Sequence, residues 1–147
     1  MSYYPAQFRS LVTAVLFDFD AELSTPAAIN LLLGTAAQES RFGRYLRQLK
    51  GPALGAFQME PATFDWLRLK YGFAYVELKN RRAEEMEWDL RLAIIMARLK
   101  YRSDKHALPV ADDVPGLAAY WKIVYNTPLG KGTVSEFAAN YARYVDA

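Results

Sequence analysis

Apolar residues recur along this chain mostly at helical spacing, and the pattern divides it into helices. Phe8, Leu11, Val12, Val15, Leu16, Phe19 and Leu23 share one face of a 3.6-residue period and predict an amphipathic helix over residues 6–23. Ser24-Thr25-Pro26 then restarts the chain. A hydroxyl cap followed by proline at the first helical position is a standard helix entry, because the missing N–H would be unpaired there anyway. The second helix runs through AAINLLLGTAAQES and is predicted to end near Gly43. Residues 48–60, QLKGPALGAFQME, are rich in Gly and Pro and lack a helical period, so they predict a loop or a small β-hairpin.

Pro61 opens a third helix, PATFDWLRLKYG, stopped by Gly72. A long helix is expected over about 80–101. Met86, Leu90, Ile94 and Ala97 form one stripe of it, and Trp88, Leu92, Ile95 and Leu99 another. Such wide apolar coverage predicts a largely buried central helix. Residues 102–114 read as a polar loop. Pro115 starts a helix carrying Leu117, Tyr120, Trp121 and Val124, and NTPLGKG breaks it. Thr133 with Glu136 resembles a capping box, and Phe137, Tyr141 and Val145 face inward from the last helix. The expectation is a mainly α fold: one domain over residues 1–147, about six helices and one small β-hairpin or irregular segment.

Composition narrows the function classes. Hydrophobic residues make up 52% and aromatics 14%, which argues against disorder. Lys and Arg number 18 against 16 Asp and Glu, for a net charge of +2, too balanced to argue for nucleic acid. With no cysteine, disulfides and thiolate metal sites are excluded; with one histidine, His106, a zinc site is not expected. No organic cofactor is implied. MSYYPAQFRS lacks the basic region and long apolar run of a secretory leader, and LVTAVLF is too short to span a bilayer. A monomer made in the cytoplasm, with no membrane insertion, is expected.

One position carries candidate chemistry. Glu39 lies at the end of a helix whose preceding residues are almost all small or apolar, and its neighbours one turn away are Thr35, Ala36, Phe42 and Gly43. Burial beside Phe42 would disfavour the charged form and make the group a proton donor near neutral pH. Arg41, Arg44, Arg47 and Lys50 act the other way, and a glutamate near a helix end is ordinarily solvated, so the residues alone leave the balance open. The cations at 41–50 read as surface charge. The glycine-bearing turn GAFQ follows soon after: Gly55 permits close backbone approach, and Gln58 offers an amide with donor and acceptor capacity. Phe57 and Met59 fit a core. Trp66, Trp88 and Trp121 each fall on an apolar stripe and read as packing residues, while His106 reads as exposed.

Q-E-S followed by G-A-F-Q-M-E-P resembles the lytic transglycosylase domain of the soluble lytic transglycosylase type, in the lysozyme-like superfamily. That family carries a Glu-Ser pair on a helix, then a Gly-Ala-x-Gly-hydrophobic-hydrophobic-Gln turn with a proline soon after, then a Tyr-Asn-Ala-Gly-like motif. Glu39-Ser40 match the first, Ala53, Gly55, Gln58 and Pro61 the second, and Tyr125-Asn126 the start of the third. Pro52 stands where the first glycine is usual, no serine precedes the turn, and Thr127-Pro128 replace Ala-Gly. This looks like a divergent member, of the small single-domain kind common in phages.

The resemblance implies a lysozyme-like fold and cleavage of peptidoglycan glycan strands between N-acetylmuramic acid and N-acetylglucosamine. Glu39 would be acid, then base. Ser40, Gly55, Phe57, Gln58, Tyr125 and Asn126 would line the substrate, with the Tyr125 hydroxyl steadying Glu39. It also implies delivery to the wall by lysis machinery or within a virion. Most glycoside hydrolases need a second carboxylate across the scissile bond. Between Ser40 and Met59 there is no Asp or Glu, and Glu60 and Asp65 are the next acids. A single-acid transglycosylase giving 1,6-anhydro products is therefore favoured. The alternatives are a hydrolytic muramidase on the same fold and a non-catalytic wall-binding or virion structural module.

Overall fold

A computed structural model describes residues 2–146. It is mainly α, with six α-helices among the described residues. Helix α1 (Pro5–Phe19) buries Phe8, Val12, Val15 and Leu16. It ends earlier than its apolar period suggests. Asp20 is extended, at φ −161°, and its side chain accepts from the Glu22 N–H, so residues 21–23 form a separate 3-10 turn. Helix α2 (Pro26–Ser40) begins as its sequence predicts: the Thr25 hydroxyl accepts from the Ala28 N–H at 3.2 Å, and Pro26 follows. Its residues from Leu31 to Ala37 are all buried, and it packs against α1 and the later helices α4 (Leu90–Arg102), α5 (Val114–Tyr120) and α6 (Val134–Asn140). Contact with α6 is close because Gly34 has no side chain; a Cβ there would strike Phe137.

Helix α3 (Pro61–Tyr71) buries Phe64 and Leu67. Trp66, on the other side, is exposed, so its expected packing role is not met. The predicted helix over 80–101 is shortened at its start to 13 residues. Residues 83–87 form a 3-10 turn, and α4 begins at Leu90. The reason is a local carboxylate network. Arg81 bridges Glu85 at 3.0 Å and Asp89 at 2.5 Å, Glu85 accepts from the Arg82 N–H, and Asp89 accepts from the Leu92 N–H. Asp89 thereby caps a new helix rather than continuing an old one. Trp88 falls just before that cap and is exposed, which corrects its placement on a buried stripe. The rest of α4 is the buried helix its pattern implies.

The expected hairpin reduces to two isolated antiparallel bridges, Arg47 with Leu54 and Leu54 with Met59. Helix α5 continues as a wider π-type turn, Trp121–Asn126, and α6 as another, Tyr141–Val145. The Thr133–Glu136 capping box is present, with both hydrogen bonds at 3.1 Å.

Candidate active site

Three elements meet around Glu39: the end of α2, the irregular segment 45–60 and the π-type turn after α5. Between them lies an open cleft of about 750 Å³. Gln38, Glu39, Gln58, Glu60, Tyr125 and Asn126 are on its wall, with Lys50, Lys100 and Lys131 also facing it.

The chain stops α2 abruptly. Arg41, Phe42 and Gly43 take φ values of 51°, 57° and 83°, three successive left-handed residues. The Arg41 and Phe42 N–H groups turn back onto the carbonyls of Ala37 and Ala36, closing the helix end. Phe42 is driven into the core against Phe8, and Arg41 outward to solvent. Glu39 is thus held in the last helical turn, between fully buried Ala37 and exposed Arg41.

Burial pushes the Glu39 carboxyl up from an ordinary 4.5 to about 7, against the opposing pull of one hydrogen bond, from Trp121. The negative end of the α2 dipole works in the same direction as burial. Burial and the Trp121 hydrogen bond account for the shift; Arg41, Arg44, Arg47 and Lys50 are exposed, and Arg47 pairs with Glu87 at 3.0 Å. The competition that the residues alone left open is decided by desolvation.

The group that steadies Glu39 is Trp121, not Tyr125. The indole Nε1–H donates to Glu39 Oε2 at 3.0 Å. Trp121 is fully buried and packs on Phe137, so packing is real but is only half of its role. The Tyr125 hydroxyl donates instead to the Phe57 carbonyl at 2.7 Å, tying the π-type turn to the segment across the cleft. Tyr125 also stacks on Tyr101, whose hydroxyl meets Thr35 Oγ1 at 2.6 Å. Burial first, and the nearby Glu39 charge after it, push the ionisation of both phenols well up. The wall behind Glu39 is therefore aromatic and uncharged.

Several residues expected to touch substrate do something else. Ser40 is buried; its hydroxyl donates to the Ala56 carbonyl at 2.5 Å and accepts from the Gly43 N–H at 2.7 Å, pinning the helix end to the irregular segment. Phe57 is buried near Phe8 and presents no face to the cleft. Gly55, at φ 81°, is required by packing rather than by a ligand: a Cβ there would lie 2.5 Å from the Met86 carbonyl oxygen.

Gln58 does reach the cleft. It adopts φ 48°, and its Nε2 donates back to the Gly55 carbonyl at 2.9 Å. Asn126 is there too, its Oδ1 held by Lys122 at 2.7 Å. Lys122 also donates to the Gly130 and Gly132 carbonyls, at 2.9 and 2.6 Å. Its three N–H bonds thereby clamp loop 127–132 into one lip of the cleft, a role sequence reasoning did not assign. Gly132 completes the lip, lying where a Cβ would meet the Trp121 ring at 2.6 Å.

No family model, curated protein or solved structure matches this chain. The site itself offers one carboxyl whose pKa burial raises to about 7, one indole donor on that carboxyl, and an open cleft in front of both.

Proposed function

We propose that this protein cleaves the glycan strand of bacterial peptidoglycan by a single-glutamate lytic transglycosylase route. The observation that carries the reading is the Glu39 carboxyl, raised to about 7 by burial and facing an open cleft. Near pH 7 about half of such groups hold a proton, so the acid and base forms are both accessible. Glu39 gives its proton to the glycosidic oxygen between N-acetylmuramic acid and N-acetylglucosamine, and the bond to the muramic C1 breaks. The Glu39 anion is then held by the Trp121 N–H. It takes the proton of the muramic 6-hydroxyl as that oxygen bonds to C1, closing the 1,6-anhydro ring and restoring the acid.

The surroundings favour a single acid. Among the described residues, the other carboxylate on the cleft wall is Glu60, which is exposed at the start of α3. The same Glu60 keeps a hydrolytic muramidase as the second reading, with water in place of the 6-hydroxyl. Mass spectrometry of digested peptidoglycan separates the two. Anhydro-muropeptides, absent with Glu39→Gln, support the transglycosylase; reducing ends that also vanish with Glu60→Gln support the muramidase. If the wild-type protein releases neither, a non-catalytic wall-binding or virion role takes their place.

A further inference from the structure

Helix α3 carries a second apolar face that no other element covers. Ala62, Trp66 and Leu69 follow one another on it at four- and three-residue intervals, and Phe73, in the turn just after the helix, extends the same stripe. The three large side chains are 49%, 75% and 92% exposed. The buried stripe of the same helix, Phe64 and Leu67, already serves the core. Contiguous exposed aromatic and aliphatic surface of this kind marks an interaction site.

Cations surround it. The Lys70 and Lys100 ammonium groups lie 5.7 and 5.8 Å from the centre of the Trp66 ring, and that of Lys79 lies 5.9 Å from the centre of Phe73. Arg68, Leu69, Gly72, Phe73 and Lys79 together line a shallow depression of about 160 Å³. Among the described residues, no carboxylate pairs with Lys70, Lys79 or Lys100. Of the nearby acids in sequence, Glu77 is engaged by Arg91 at 3.0 Å, and Asp65, exposed on α3 next to Trp66, is outnumbered by the three lysines.

We propose that this face docks the protein peripherally on an anionic lipid surface. Trp66, Leu69 and Phe73 would enter the boundary between headgroups and acyl chains, and Lys70, Lys79 and Lys100 would meet lipid phosphates. Lysine stems suit this position, since they follow the apolar surface while the ammonium stays at headgroup level. A second copy of the chain fits less well: a two-fold contact would set the lysines of one patch against those of the other. The docking is superficial, in keeping with the absence, among the described residues, of any helix long and apolar enough to cross a membrane. Lys100 lies over Trp66 and also lines the Glu39 cleft, so docking would hold the cleft mouth close to the lipid surface.

The test is co-sedimentation of the intact protein with vesicles of phosphatidylglycerol and phosphatidylethanolamine, beside vesicles of phosphatidylcholine alone. Binding is expected to the first and not to the second, and to weaken as salt is raised. Phe73→Ser and the double change Lys70→Glu with Lys79→Glu should each lower partitioning by about tenfold or more. These side chains are exposed, so unchanged circular dichroism and melting confirm folding. Glu39→Gln should bind as the wild type does, which keeps the result separate from glycan cleavage. Absence of binding to either vesicle, or binding that both variants leave intact, overturns the proposal. So does a concentration-dependent dimer that Phe73→Ser dissolves, which would make a second copy the occupant.

Discussion

Replacing Glu39 with glutamine should stabilise the protein, and the size of the gain should depend on pH. The carboxyl moves from 4.5 when unfolded to about 7 when folded. Between those values the native state holds a proton that the unfolded chain has released, so native stability falls as pH rises through the window. The difference is about 2.5 units, and at about 1.4 kcal/mol per unit the full cost is about 3–3.5 kcal/mol, reached once pH exceeds the folded value. Glutamine has nearly the same shape and can still accept the Trp121 N–H through its amide oxygen, yet never charges. The variant should match the wild type to within about 1 kcal/mol at pH 4 and exceed it by about 3 kcal/mol at pH 8. For a domain of this size, that is a rise in Tm of about 6–12 °C at the higher pH.

The assay is urea denaturation of both proteins at half-unit steps across the window. All other titrating groups are common to the two chains, so the difference between the curves isolates Glu39. A separation that stays constant from pH 4 to pH 8 would refute the reasoning, because it would mean that the group ionises alike in folded and unfolded chains and that burial does not tune it.

Two further perturbations test the parts around the acid. Trp121→Phe removes the one hydrogen bond that holds the Glu39 anion down, so the alkaline limb of the pH–rate profile should move upward from about 7 by about one unit, and kcat should fall; a limb that stays in place assigns the tuning elsewhere. Gly55→Ala puts a methyl group on the Met86 carbonyl at a left-handed position and should cost about 2 kcal/mol or more in chemical denaturation, with the loss extending to Gln58 in the same turn.

Much of the helical frame was legible because its signals are local. Pro26 behind Thr25, Pro61, and the Thr133–Glu136 box each act within one turn, and the structure has all of them as helix starts. The apolar stripe through Met86 and Trp88 misled, since a periodic pattern cannot reveal that Arg81, Glu85 and Asp89 would capture the backbone donors of that stretch. At the site, the buried acid could be suspected from its apolar neighbours. Its partner could not: Trp121 lies 82 residues further on, and an indole on an apolar stripe reads as packing unless its N–H is asked where it goes. Tyr125 stood at the expected place, but its hydroxyl answers to the Phe57 carbonyl, a backbone group that no side-chain motif can indicate.

The position of Glu39 is set by where α2 is made to stop. Two residues earlier, at Ala37, a carboxyl would be sealed in the core and could reach no substrate. Two residues later, at Arg41, it would be solvated and ionised throughout the neutral range. The intermediate place exists because the helix is broken there by force. Arg41 and Phe42 accept left-handed backbone that costs about 1–3 kcal/mol each; buried Ser40 ties the break to the segment across the cleft, and buried Phe42 packs it against Phe8 of α1. Strain and an uncompensated acid therefore sit within four consecutive residues, held by the buried length of α2 behind them. A chain selected for stability alone would have relaxed both. Their coexistence beside an open cleft is the physical feature on which the proposal of proton transfer at this terminus rests.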